Sequence, residues 1–443
     1  MASQGVDIGV GPSGPRVQTP GTPRSAQPSR ARYTLLRFAF ALSIITFIDR
    51  VCIASAMPFI RADLGLDTIQ AGYVFSAFTF AYALFEIPTG WMADVFGPRK
   101  ILMRIVLWWS TFTAVTGFAW NYWSMLLARF LFGAGEAGML PNISRSFAMW
   151  LPSKERGRAH GVVFMGTRVG AALTPPLVYW IIITAGWRPA FVIFALLGVV
   201  WSGFWWRWYR DNPGEHRSVN REELDLIREG THDSAHRKVR FSALLTPNLL
   251  VVYAMYFCLI YGMYFYLTWL PTYFREARGF TPAQAQWLTS IVLAAGGVAS
   301  ISGGWLTDVL CRRYGRRVGR RIGAIAMPLS GMAMATAALV DSPLVAAVAM
   351  ATAAFFSDMC LSPSWSICHD IAAESAGTVT GTMNTVGNLG GTMSPLVIGY
   401  CLSWWPGAWS TPLLVTAGVS VVGGLLTLLI NPNRPALGEA RLP

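Results

Sequence analysis

The chain has 443 residues, 53% of them hydrophobic and only 13% charged, where a soluble domain carries about 25% charged residues. That composition argues against a soluble enzyme and for a membrane protein. The formal net charge of +13 does not point to nucleic acid, because the arginines concentrate in alternate connections between apolar segments, as they do where basic loops stay inside the cell.

From the start of the chain, Met1 to Arg32 is rich in Pro, Gly, Ser and Arg and has no apolar core of signal-peptide length. It reads as a disordered tail, residues 1–33. Apolar segments then recur from Leu35 to Ile430, and with about 20 residues per span, about twelve spans fit. The first six are expected near Leu35 to Pro58, Ala71 to Asp94, Lys100 to Ala119, Trp123 to Leu151, Arg158 to Ala185 and Pro189 to Arg210. Residues 211–245 are polar, with a turn at Asn212-Pro213-Gly214 and a short surface helix over Arg221 to Arg228. The second six begin near Leu249, Pro282, Gly323, Pro343, Ala376 and Thr411. The expectation is an all-α membrane protein of twelve transmembrane helices in two pseudo-symmetric six-helix bundles, 34–210 and 246–432, with a second tail at 433–443.

Basic residues crowd Pro98 to Arg104, Ser153 to Arg158, Arg207 to Arg240 and Arg312 to Arg321, and are sparse near Asn121, Asp341 and Pro406. An even number of spans with the basic loops inside puts both termini in the cytoplasm. The six cysteines, Cys52, Cys258, Cys311, Cys360, Cys368 and Cys401, lack metal-ligand spacing and read as packing residues.

Two features carry more information. Arg129 and Glu136 lie seven residues apart in an otherwise apolar stretch, on one helical face and roughly 10 Å apart along the axis. A charge at the centre of a span costs about 3 kcal/mol and marks a cavity or a partner. Secondly, Gly90-Trp-Met-Ala-Asp94-Val-Phe-Gly97-Pro-Arg99-Lys100 closes the second span, and Gly304-Trp-Leu-Thr-Asp308-Val-Leu-Cys-Arg312-Arg313 closes the eighth. In both, a glycine admits a neighbouring helix, an aspartate ends the span and arginines follow, so Gly90, Asp94, Arg99, Gly304, Asp308 and Arg312 are expected to act in gating. Parallel six-helix repeats of this kind build major facilitator proteins.

Over roughly Tyr33 to Asn431 the chain resembles the major facilitator superfamily. The loop from Gly90 to Lys100 is similar to that superfamily's signature between its second and third helices, and Arg129 to Gly138 resembles the fourth-helix motif of proton-coupled members. Phe47-Ile-Asp49-Arg50, Glu136-Ala-Gly-Met-Leu-Pro141-Asn142 and Glu155-Arg-Gly-Arg158-Ala resemble the anion:cation symporter family. Bacterial members of that family take up sugar acids and other organic anions with protons, and animal relatives carry sialic acid, phosphate or glutamate.

Asp49 and Arg50 lie mid-way along the first span. Its eleven Leu, Ile, Phe and Val residues between Leu35 and Met57 supply about 5 kcal/mol of insertion, against about 6 for the two charges. The pair therefore needs a cavity or partner helices. One reading is a structural network tying the first span to the fourth; the other, which the resemblance favours, has Asp49 and Glu136 as proton-coupling acids, with Arg50 and Arg129 tuning them or touching substrate. Tyr82 and Glu86 share a face of the second span. Tyr82 matches a site position of the family, and Glu86 reads as a gate or packing partner. Thr167 stands where sugar-acid carriers often have glutamine. Arg168 either binds a second carboxylate, which favours diacids, or pairs with Glu136 or Asp49. In the second half Tyr261, Tyr264 and Thr268 share one face, Asn384 and Asn388 another, and the tenth span carries Asp358 and Ser362-Pro363-Ser364-Trp365. Such polar groups either glue helices or, as the resemblance implies for Ser364, Trp365 and Asn384, contact a polyol acid.

The expected protein is therefore a secondary transporter, not an enzyme, that imports an organic anion such as a hexonate, hexarate or hexuronate with protons by alternating access. It needs no cofactor beyond the proton gradient, binds no metal and no nucleic acid, and sits as a multi-pass monomer in the lipid bilayer of a bacterial inner membrane. Other carboxylates, aromatic or dicarboxylate, and an efflux antiporter or uniporter are the alternatives. Gly166 to Pro176 lacks the glycine-rich motif of drug antiporters, which disfavours efflux.

Overall fold

The computed structural model describes residues 27–229, 244–372 and 376–433, which form helices and no strands. Most of both expected tails and the middle of the linker lie outside the described residues. In the first half, α1 (Ala31–Leu64), α2 (Thr68–Phe96), α3 (Pro98–Gly117), α4 (Tyr122–Glu136), α5 (Met139–Trp150), α6 (Ser153–Ala185) and α7 (Trp187–Trp208) precede α8 (Arg221–Glu229). The second half has α9 (Pro247–Thr268), α10 (Leu270–Glu276), α11 (Pro282–Tyr314), α12 (Arg316–Gly319), α13 (Gly323–Leu339), α14 (Pro343–Asp358), α15 (Leu361–Ala372), α16 (Ala376–Trp404) and α17 (Ser410–Leu429). Among the described residues nine helical segments are long and apolar enough to cross a membrane. The three other expected spans are present as helices too: basic-headed α3, the broken pair α4 and α5, and α16 with its asparagines and glycines.

Sequence explains the ends. Asp67 with Gln70, Asn121 with Ser124, and Thr281 with Gln284 each form a capping box that starts α2, α4 and α11, satisfying orphan amides at the end of the molecule opposite the termini. The repeat is legible in the backbone: Gly97 and Gly315 take φ of 79° and 85° at equivalent turns, a region glycine enters without strain.

Three expected spans are interrupted. The fourth, read as one helix over Trp123 to Leu151, turns at residues 137–138; the seventh and tenth turn at 269 and 359–360. Each turn lies ahead of a proline, Pro141, Pro271 or Pro363, whose ring crowds the carbonyl four residues earlier. Proline alone does not decide it, since Pro58 and Pro88 sit inside continuous helices. The linker helix α8 is also less free than expected. Its Glu223 is fully buried and accepts hydrogen bonds from the Ala31 and Arg32 amides at 3.1 Å, from Arg32 Nη1 at 2.9 Å and from Ser29 Oγ. This pins α8 under the start of α1.

α1 packs on α6, α3 on α7 and α2 on α4, while α13 packs on α17 and α14, and α9 on α16 and α17. The halves meet where α2 packs on α16 and α6 on α11. All six cysteines are free, and all but Cys311 are buried.

Candidate functional site

Glycines bring the charged helices together. A Cβ at Gly166 would lie 2.8 Å from the Phe40 carbonyl oxygen and one at Gly170 2.6 Å from that of Ile44, so α6 packs close on α1. Gly133 faces the Phe78 backbone in the same way and draws α4 onto α2. Arg50 of α1 thereby forms an ion pair with Glu136 of α4. Its guanidinium lies 4.8 Å from the Tyr82 ring centroid, 5.1 Å from that of Phe78 and 5.2 Å from that of Phe47, an arrangement that suits a planar cation.

Asp49 and Glu136 are 0% exposed and Arg129 1%. Neither oxygen of Asp49 has a hydrogen-bond partner, nor do Glu136 Oε2 and Arg129 Nε and Nη1. The Arg129 guanidinium rests 4.2 Å from the centroid of Phe132. A small cavity between the halves is lined by Arg50, Ile53, Phe75, Phe78, Arg129, Tyr264, Leu267 and Thr268. Two cations, Arg129 with unpaired donors and Arg50 held by Glu136, thus face one space, with two carboxyls behind them. Such a group can hold an anion and change protonation as the anion comes and goes.

The other expected residues divide. Tyr264 and Thr268 reach the cavity; Tyr261 does not line it, and its buried hydroxyl has no partner. Thr167 also lies off it, bonding the Phe164 carbonyl at 2.6 Å. Ser364 faces a different small cavity inside the second half, with Met255 and Arg320, and bonds the Cys360 carbonyl at 2.7 Å. Trp365 donates to Tyr256 Oη at 3.2 Å and meets Phe164 across the halves. Asn384 donates to Glu86 at 2.6 Å and Asn388 to the Asn384 carbonyl at 3.0 Å.

Arg168 pairs with neither Glu136 nor Asp49. Its Nη1 lies 2.6 Å from Oδ2 of Asp358, on α14 of the other half. Sequence flagged Asp358 as a polar oddity but gave no partner, because the two meet only once the halves are docked. Cavity-lining Ile53, Phe75, Phe78 and Leu267 were likewise invisible among many apolar residues.

The residues expected to act in gating make the following contacts. A Cβ at Gly90 would lie at ordinary contact distance from Pro141, 3.5 Å, whereas one at Gly304 would crowd Ser362 Oγ at 3.0 Å. The Asp94 side chain is outside the described set. The Arg99 amide bonds Asp211 at 2.9 Å and its guanidinium caps the Trp206 carbonyl at 2.8 Å. Asp308 is met at 3.9 Å not by Arg312, which is exposed, but by Arg320, which also holds Asp370 at 2.6 Å. The eleven intervening residues let α12 fold back, so the nearest arginine in sequence is not the partner.

Comparison with known proteins identifies the family. The Major Facilitator Superfamily pattern matches residues 39–395. The chain is 36% identical to the "Probable sulfoacetate transporter" of Cupriavidus necator, over 91% of this chain and 94% of that one. It is 30% identical to the "D-galactonate transporter" of Escherichia coli, over 92% and 97%, and 30% to the "Probable galactarate/D-glucarate transporter" of Bacillus subtilis, over 90% and 92%. The solved structure of a bacterial homologue of the human lysosomal transporter Spinster, inward-facing and unoccupied, superposes with a TM-score of 0.75 at 18% identity, over 90% of this chain and 97% of that one. The chain belongs to the Major Facilitator Superfamily, and is an all-α membrane transporter of two six-helix bundles whose relatives carry sugar acids and other organic anions.

Proposed function

We propose that this protein imports an organic anion together with protons by alternating access, with a sugar acid such as a hexonate, hexarate or hexuronate as substrate. The observation that carries this reading is that fully buried Arg129 and part-buried Arg50 face one cavity, backed by Asp49 and Glu136. Arg50 and Arg129 hold the carboxylate, and the two acids take up the protons that allow the loaded site to cross the bilayer without a large net charge. With both termini in the cytoplasm of a bacterial inner membrane, the far end of the molecule is the outer face.

A specific observation also favours a shorter, doubly charged acid. The cavity wall offers only the Tyr264 and Thr268 hydroxyls among apolar Ile53, Phe75, Phe78 and Leu267, which is little for a polyol, and a relative at 36% identity is named for sulfoacetate.

The test is uptake into proteoliposomes under an inward proton gradient, across sulfoacetate, D-galactonate, galactarate, glucuronate and an aromatic carboxylate, each with and without a proton ionophore. Accumulation that collapses with the ionophore is expected for at least one acid. Accumulation of none, with exchange or outward leak instead, would refute import.

A further inference from the structure

Arg168 and Asp358 are not explained by the cavity. They form an ion pair between the halves, Arg168 Nη1 to Asp358 Oδ2 at 2.6 Å, in the middle of α6 and at the end of α14. Two successive glycines of α11 make room for it: a Cβ at Gly297 would lie 3.1 Å from Arg168 Cβ, and one at Gly296 would strike the Asp358 carboxylate. Asp358 is 5% exposed. The other titratable groups facing it are Tyr266 of α9 and Cys360 at the α14–α15 turn, so Arg168 is its only countercharge among the described residues. The contact is a single N–O bond, which leaves other donors of the guanidinium fork free.

This pair sits on the α6–α11 surface that must shift if the halves move against each other. Separating two bare charges there is prohibitive, since a charge inside the membrane needs a partner. The pair can open only if one member is neutralised. We propose that Asp358 is a third proton-binding carboxyl of the transport cycle: a proton on Oδ2 releases Arg168 Nη1, whose N–H then donates to an oxygen of the anion, and the return of Arg168 to Asp358 expels the proton on the other side. This rests on the proton-coupled uptake reading and adds one proton per anion to those taken by Asp49 and Glu136.

The experiment uses the full chain in proteoliposomes with whichever of sulfoacetate, D-galactonate or galactarate the wild-type protein accumulates. Equilibrium accumulation is measured at a one-unit pH gradient with the membrane potential clamped, beside exchange at equal pH. For Asp358→Asn, exchange is expected to persist while accumulation falls about tenfold, the worth of one proton at that gradient; Asp358→Glu should keep the wild-type ratio. If Asp358→Asn fails to fold because Arg168 is left uncompensated, the double variant Arg168→Met with Asp358→Leu removes both charges and is expected to fold, to bind the anion more weakly for want of the Arg168 donor, and to show the same tenfold loss in the equilibrium ratio, which does not depend on affinity. Either variant with the wild-type accumulation ratio, or a folded Asp358→Asn protein that no longer exchanges at equal pH, overturns the proposal. Wild-type protein that accumulates none of the acids removes the uptake reading and this proposal together, whereas normal wild-type uptake with an unchanged variant ratio removes this proposal alone.

Discussion

Glu136 bonds Arg50 with one oxygen and leaves the other without a partner in a fully buried place. If that carboxyl carries a coupled proton, Glu136→Gln keeps its shape and loses its chemistry. Uptake driven by a pH gradient is then expected to vanish in proteoliposomes while exchange at equal pH survives; intact gradient-driven uptake would remove Glu136 from the coupling path. Arg50 makes a sharper case, because it serves an ion pair and three aromatic faces at once. A lysine keeps the charge but not the planar fork. Arg50→Lys should raise the KM for the transported acid about tenfold, roughly 1.4 kcal/mol, measured by initial rates of uptake. These four charges, Asp49, Arg50, Arg129 and Glu136, were legible because a charge stands out in an apolar span. The Arg168 to Asp358 pair was not, because its members are 190 residues apart and belong to different halves.

Whole helices were legible from apolar length, and the repeat from its glycines and arginines, but the interruptions were not. A proline removes one hydrogen bond and crowds one carbonyl, and whether the helix bends or breaks depends on what its neighbours supply. Pro363 follows the turn that separates α14 from α15. Pro363→Ala should let the two helices join, raise the melting temperature of the purified protein by a few degrees, about 1 kcal/mol or more, and slow exchange if the break bends during transport. A stabilised protein with an unchanged exchange rate would make the break a static feature. Gly133 tests the α2–α4 contact in the opposite sense. Its Cβ would lie 3.0 Å from both Cα and carbonyl carbon of Phe78, backbone atoms that cannot swing away. Gly133→Ala is expected to destabilise the fold by about 1–3 kcal/mol, read as a lower melting temperature.

At the scale of the whole molecule the halves are tied unevenly. At the far end Arg61 meets Glu276 at 2.9 Å, Tyr73 meets Tyr400 at 2.9 Å and Ser76 bonds the Thr392 carbonyl at 2.6 Å, while a Cβ at Gly157, Gly161, Gly377 or Gly381, toward the end with the termini, would meet none of the described residues within 4 Å. No sequence pattern announces which end is shut, since that is set by how the two halves dock. The half-exposed Arg61 to Glu276 pair is worth about 1 kcal/mol or less, so it cannot hold the closure. Backbone packing can: a Cβ at Gly72 would lie 2.7 Å from the Pro395 carbonyl oxygen, and one at Gly399 2.6 Å from that of Thr68. α2 and α16 therefore close through two reciprocal contacts that tolerate no side chain. Gly72→Val with Gly399→Val should prop this end open, at a cost to the closed state of about 1–3 kcal/mol, enough to shift the balance about tenfold or more. With a cysteine placed at Glu276, an impermeant maleimide added at the far end should label the double variant about tenfold faster than the same cysteine in the unaltered background, and gradient-driven uptake should fail. Unchanged labelling with normal uptake would mean that α2 and α16 need not meet at this end during transport, and the closure would have to reside in α6 and α11 instead.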